Sequence, residues 1–275
     1  MAIHSLRVIV YTAKMNLIMT WRFFSWTGFA LRFFSPIMTL GAAWVLYSQV
    51  YRGALSQEFG DAVGKSGYLP FITIGNAFFV FVFAAAFVVG RVMFWERTTG
   101  TIEATFMSPM NRLAYMAGVM VAAAADALIS FTTVFIIGLA FGTQIASFNA
   151  PLFISSLLLT AFALFGIGLM ANAITLTFRD RTTTANTLTI LFMVFSGIVC
   201  PVELMPLWAQ QISSILPLTY GIRLMRVSLL GIKTYNIISD LATLLILGAI
   251  YVGIGALTLR LIERNLKKKA LFSVF

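Results

Sequence analysis

Apolar residues fill long runs of this chain, and its polar and charged positions gather in short segments between them. Near the start, Ile3, Leu6, Ile9, Val10, Ala13, Leu17, Trp21 and Phe24 follow a helical repeat, with Arg7, Lys14 and Arg22 on the opposite side. That pattern predicts an interfacial helix whose apolar face sinks into the acyl boundary while its basic face meets anionic headgroups. The plainer alternative is a frayed start to the first span. Runs of about 20 apolar residues, the length that crosses a bilayer, then predict spans over Thr27–Tyr47, Leu69–Val89, Tyr115–Phe141, Leu152–Phe178, Thr184–Val199 and Leu241–Leu259. Between the last two, Pro201, Pro206 and Pro217 punctuate a stretch that stays apolar. It predicts short re-entrant or interfacial helices rather than a span. Irregular backbone at membrane depth needs protein or water to satisfy it, so this segment is expected to pack on the bundle at one mouth.

Composition agrees with a membrane reading: 60% of the residues are hydrophobic and 10% charged, against about half and about a quarter in soluble domains. The 275 residues hold six such spans and their loops with no room for a large soluble domain. The fold class expected is therefore an all-α integral membrane domain over residues 1–275. It divides into an amphipathic helix (1–25), a six-span body (27–260) and a basic cytoplasmic tail (261–275). The net charge of +10 would suggest nucleic acid in a soluble protein, but the cations sit at the ends of apolar runs, so no nucleic-acid partner is expected. With both termini inside, the cytoplasmic segments collect Arg7, Lys14, Arg22, Arg32, Arg91, Arg97, Arg112, Arg179, Arg181, Arg260, Arg264 and Lys267 to Lys269. The outer ones keep only Arg52, Lys65, Arg223, Arg226 and Lys233. No cleaved signal peptide is expected, because no small-residue cleavage site follows the first apolar run. The single cysteine, Cys200, has neither a disulfide partner nor a neighbouring metal ligand.

Catalytic chemistry finds little support. The segment from Gly60 to Gly64, Lys65 and Ser66 looks like a phosphate-binding loop but is one residue too short between its glycines and falls in an expected outer loop. The one histidine, His4, lies on the polar side of the first helix, and no acidic pair has useful spacing, so no catalytic or metal site is expected. Energy for uphill movement must then come from an ion gradient or from a partner that hydrolyses ATP. Asp126 is the one strong intramembrane ionisable candidate, set among small residues in Ala122 to Ala127. It reads as a helix contact or a substrate-facing group, with a proton relay as the alternative. Asn76 and Asn172 are further polar positions within spans, where interhelical hydrogen bonds are the plainer reading. The segment from Arg91 to Pro109 mixes charge with exposed apolar bulk, and a short helix there would present Glu96 and Glu103 beside Ile102, Phe106 and Met107 to a cytoplasmic partner. An ordinary inter-span loop is the other reading.

These residues resemble the permeases, or membrane subunits, of the ABC-2 class of ATP-binding-cassette exporters, over nearly the whole chain. Glu96-x-x-x-Gly100-Thr101-Ile102-Glu103 followed by Ser108-Pro109 looks like the family's signature around its coupling helix. Gly197 through Pro201, Pro206-Leu207-Trp208 and Pro217-Leu218-Thr219-Tyr220, ending near Arg223 and Arg226, resembles its outer re-entrant segment. The resemblance implies an amphipathic connecting helix, six spans, and two permeases, copies or paralogues, working with two cytoplasmic ATPase subunits that carry ATP and Mg. No cofactor is expected on this chain. By the same resemblance, Glu96, Gly100, Thr101, Glu103, Phe106, Ser108 and Pro109 form the ATPase contact, with Arg179 and Arg181 as a second contact. Asp126, Asn76, Asn172, Pro201, Glu203, Pro206, Trp208, Pro217 and Tyr220 are the candidates for pathway and gate.

The resemblance also implies a bacterial or archaeal cytoplasmic membrane and export of an amphipathic or lipid-linked substrate, such as a drug, lipid, glycolipid or polysaccharide. No motif chooses among these. Aromatic residues, 26 Phe and 5 Trp among them, can stack on sugars or drugs, though most such side chains face lipid or pack. The rivals are an ion-coupled secondary transporter or channel acting without an ATPase, which the few intramembrane charges disfavour, and a membrane enzyme or scaffold.

Overall fold

The computed structural model describes residues 2–22, 26–50, 67–89, 92, 96, 100, 111–178, 181–231 and 236–268. Among them, every regular element is helical: α1 (Ala2–Arg22), α2 (Trp26–Val45), α3 (Tyr68–Phe83), α4 (Arg112–Ala140), α5 (Ala150–Phe178), α6 (Arg181–Phe195), α7 (Leu207–Ile215), α8 (Pro217–Leu230) and α9 (Ile237–Lys268). Wider π turns extend α2 over Leu46–Val50 and α3 over Ala84–Val88, and a single 3-10 turn covers Val202–Leu204. Three stretches, Arg112–Ala140, Ala150–Thr175 and Ile237–Leu261, are long and apolar enough to cross a membrane, and Tyr68–Phe83 and Thr183–Phe195 are shorter apolar helices. At 29 residues each, α4 and α5 reach about 44 Å, longer than the roughly 30 Å hydrocarbon layer.

Local chemistry sets the ends of these helices. The Asn111 side chain accepts from the backbone N–H of Leu113 at 3.1 Å and caps α4. Pro217 opens α8, where a missing N–H costs nothing, and Gly231 closes it in the left-handed region at φ 66°. Asn236 caps α9 by accepting from Ser239 N–H at 3.3 Å. Two boundaries differ from the hydropathy expectation. The fifth apolar helix stops at Phe195, four residues early, because Gly197 turns the chain with φ 74°. The last helix runs past the apolar segment to Lys268, so the first part of the basic tail is helical. Its Leu, Glu, Arg and Lys residues are good helix formers with no Gly or Pro among them.

Membrane helices gain little from the hydrophobic effect between themselves and associate where small residues let backbones meet. The longest contact, between α5 and α9, shows this: a Cβ on Gly166 would collide with the backbone of Tyr251 and Val252. Likewise α1 lies on α4, where a Cβ on Gly118 would stand 2.7 Å from the Ile9 carbonyl oxygen. Phe78, Phe81 and Phe131 fill the centre with ring centroids 5.9 to 6.3 Å apart, joined by Ile74, Leu218, Ile222 and Met225. Outside, α4, α5 and α9 expose Ile136, Leu158, Ile246 and Leu257, each more than half accessible, a surface suited to lipid.

The α1 helix departs from the expected two-faced pattern. Ala13 is buried and Ile9 and Leu17 are half-buried, while Leu6, Val10, Tyr11, Met15, Ile18 and Met19 stay exposed on either side of exposed Arg7 and Lys14. Part of the apolar side serves the protein contact with α4, leaving a basic ridge with apolar flanks.

Candidate functional site

A cavity of about 200 Å³ opens among α2, α3, α4 and α6, lined by Pro36, Thr39, Leu40, Asn76, Phe79, Val80, Val134, Met193 and Ile198. Pro36 lies inside α2, where it removes one backbone hydrogen bond. Asn76 Nδ2 donates to the Ile72 carbonyl in its own helix at 3.2 Å, so this amide bonds within its helix rather than across to a neighbour. The wall is otherwise almost wholly apolar. Asp126 and Asn172 are not part of this lining. Asp126 is half-buried on α4. A second recess of about 160 Å³ sits where α3 begins and α4 ends, with Tyr47 stacked on Tyr68 at 5.8 Å beside Pro70 and Gln144.

Asn172 belongs to the opposite end of the bundle. Fully buried on α5, it donates Nδ2 to the Val89 carbonyl at 2.8 Å and lies 3.6 Å from the Met116 sulfur. Val89 follows directly on the π turn Ala84–Val88, so this bond joins α5 to the end of α3. Further along, Glu96 is only 7% exposed and accepts a hydrogen bond from the Tyr115 hydroxyl on the first turn of α4. Gly100 is an exposed turn residue with φ 73°. Thr101, Glu103, Phe106, Ser108, Pro109 and Arg179 lie outside the described residues, and Arg181 is described only as the first residue of α6.

At the expected outer end, α6 turns at Gly197 and returns through Pro201, the turn Val202–Leu204, α7 and α8. Pro201 and Pro206 cap the short helices that follow them, and Pro217 starts α8. Trp208 is exposed, its ring edge-on to Phe195 at 5.9 Å. Tyr220 donates its hydroxyl to the Ser214 carbonyl at 3.0 Å, tying α8 to α7. Glu203 pairs with Arg223 at 3.3 Å, and the Arg223 guanidinium lies 5.8 Å from the Tyr220 ring centre. Burial pushes the Cys200 thiol above its usual range, and the Glu203 carboxylate adds to the rise.

Two residues here stand outside the candidates drawn from sequence. Arg226 is 5% exposed, donates to the Phe71 carbonyl at 3.0 Å and the Ile198 carbonyl at 3.5 Å, and rests 3.3 Å from the Phe71 ring centre. It anchors α8 to both the start of α3 and the turn after α6. Asp240, in the first turn of α9, is buried within electrostatic range of Arg223 and Glu203. In sequence Arg226 reads as an outer-segment cation near a membrane edge and Asp240 has no mark that sets it apart, and only folding brings the two inside.

Among the described residues, membrane-length apolar helices with exposed apolar flanks, packed around a partly open cavity, define a multi-pass membrane protein. The model of the ABC-2 type transporter family matches residues 10–230, from within α1 to the end of α8. The chain belongs to that family and is a permease, the membrane component of a transporter. No curated protein matches the chain.

Proposed function

We propose that this permease exports an amphipathic or lipid-linked substrate across the cytoplasmic membrane of a bacterium or archaeon, driven by a separate ATPase. The observation that carries the substrate class is the cavity among α2, α3, α4 and α6, apolar apart from Asn76 and Thr39. A strongly charged solute would lose its hydration there without compensation. In this reading six helices span: α2, α3 with its π turn, α4, α5, α6 and α9. α1 lies on the inner surface, and both termini are cytoplasmic. Two permeases, identical or paralogous, face one another and work with two ATPase subunits that hold ATP and Mg.

Coupling follows from the cytoplasmic contacts. ATP-driven closure of the partner moves the segment after α3, and Glu96, held by Tyr115, passes that displacement to α4 and to α1 lying on it. Gly100, Thr101, Glu103, Phe106, Ser108 and Pro109 form the docking surface, with Arg179 and Arg181 beside it. The permease then shifts between populations whose cavity faces opposite sides. Pro201, Glu203, Pro206, Trp208, Pro217 and Tyr220 belong to the outer gate, and Asp126 and Asn172 support the pathway helices.

The test is transport of a fluorescent amphiphile into inverted membrane vesicles containing the permease and its ATPase. MgATP is expected to drive uptake, and Asn76→Leu to change its concentration dependence about tenfold, the size expected from loss of one buried polar contact. Uptake that follows an ion gradient without ATP contradicts the proposal.

A further inference from the structure

The pair α7 and α8 dips into the membrane, and two neighbours measure how far. The Asn149 N–H bonds the Ser228 carbonyl and the Ser228 hydroxyl bonds the Asn149 carbonyl, so the end of α8 lies level with the start of α5. Pro217, at the other end of α8, then lies about 16 Å deeper. From α9, the Tyr251 hydroxyl reaches the Ile215 carbonyl at 3.2 Å, and Tyr251 sits just past the middle of the apolar stretch Ile237–Leu261. The apolar stretch of α5, Ala150–Thr175, exceeds a hydrocarbon layer of about 30 Å by about 9 Å. With that excess shared between its ends, the tip at Ile215 to Pro217 sits about 12 Å inside the layer.

Helix ends at this depth need polar partners. On the protein side they have them. Tyr220 and Tyr251 donate to the Ser214 and Ile215 carbonyls, and Ser213, fully buried, donates to the Phe195 carbonyl at the end of α6. The opposite face of α7 is open: Leu207, Trp208, Gln211, Ser214 and Ile215 are exposed, and none is charged. The Gln211 side chain has no hydrogen-bond partner among the described residues. It lies one helical turn from Ile215 and so no more than about 6 Å shallower, still inside the layer. An amide pointing into hydrocarbon with nothing to bond is strongly disfavoured, so lipid is a poor neighbour for this face.

We propose that the open face of α7 lines a water-filled outer vestibule, and that Gln211 is a pathway residue there, offering hydrogen bonds to the polar part of the cargo. Its amide supplies donors and an acceptor, and the Ser214 hydroxyl, already donating to the Gln211 backbone carbonyl at 2.7 Å, keeps its own acceptor capacity. Leu207 and Trp208 give the same face an apolar rim. An uncharged headgroup bearing hydroxyls or amides fits this surface, whereas a charged one finds no counter-ion on α7. The cargo contact deepens the exporter reading and rests on it; the vestibule rests on the depth and the open face alone.

The vestibule is tested on the permease by itself, in isolated membranes open on both sides, with Cys200→Ser removing the only cysteine. Gln211→Cys, Ser214→Cys and, as a lipid-facing reference, Ile246→Cys are reacted with a charged, water-soluble methanethiosulfonate. Ile246 is 56% exposed on α9, and because the Tyr251 side chain leans toward the start of its helix, Ile246 lies near the depth of the tip. The two α7 positions are expected to react at least about tenfold faster than Ile246→Cys, since a charged reagent stays out of hydrocarbon. Three equally slow positions, or a Gln211→Cys thiol that is unreactive and crosslinks to a second copy on oxidation, would overturn the vestibule. Three equally fast positions would overturn the depth. The cargo contact is read from uptake of a fluorescent amphiphile with a neutral sugar headgroup into inverted vesicles holding the permease and its ATPase. Gln211→Leu is expected to shift the half-saturating concentration about three- to tenfold, and Gln211→Asn, which keeps the amide, to stay closer to wild type. An unchanged concentration dependence in Gln211→Leu would overturn the contact. Uptake driven by an ion gradient alone contradicts the exporter reading instead, and the Gln211 comparison is then read on that uptake in the same way.

Discussion

At the residue scale, a few buried polar side chains hold segments that lack regular hydrogen bonding. Arg226 is the clearest, since one guanidinium satisfies two backbone carbonyls and covers the Phe71 ring. Arg226→Lys is expected to cost about 2 kcal/mol, because a point ammonium cannot reproduce the planar stack and the paired donors. Thermal unfolding in detergent measures the loss, and an unchanged midpoint would show that the anchor is dispensable. Tyr115→Phe removes the hydroxyl that donates to buried Glu96 and is expected to cost about 1–3 kcal/mol. In the coupled transporter it should also lower the amount of substrate moved per ATP hydrolysed, a ratio that a purely structural loss would leave unchanged. These contacts were hard to read in the sequence for a physical reason. Glu96 and Tyr115, like Glu203 and Arg223, lie about twenty positions apart, and charge near an apolar run signals topology equally well whether the side chain faces headgroups or the protein interior.

At the element scale, the three longest apolar runs coincide with helices of membrane length, because an apolar run long enough for a bilayer has few alternatives to a helix. The ends were less legible. Gly197 ends the fifth apolar helix through its positive φ, whereas hydropathy continues across it. Conversely, hydropathy stops near Leu259 while α9 continues to Lys268, since helix propensity persists after the chain leaves the apolar layer. The π turn at Ala84–Val88 has no sequence mark beyond small residues. Packing at this scale depends on bare backbone: Gly166→Val is expected to force α5 from α9 and cost about 1–3 kcal/mol. Gly253→Ala, where nothing lies within 4 Å of the new methyl, is expected to leave stability unchanged or slightly raised. Equal losses in the two variants would contradict the backbone contact at Gly166.

At the scale of the whole molecule, orientation and energy source are the claims that give the bundle its function. In the proposed orientation, which follows the positive-inside rule, Cys200 faces outside and the helical tail at Lys268 faces inside. An impermeant maleimide should therefore label Cys200 in intact cells, while a C-terminal tag resists external protease until the membrane is broken. The central claim is that this permease moves with a separate ATPase. Its most direct measurement is affinity purification of the tagged chain in mild detergent, with mass spectrometry and an ATPase assay, comparing wild type with the Glu96→Ala, Glu103→Ala double variant. The account predicts that a P-loop ATPase co-purifies with the wild type and that its association or its substrate-stimulated hydrolysis falls in the variant. A chain that purifies without an ATPase and transports under an ion gradient alone would contradict it.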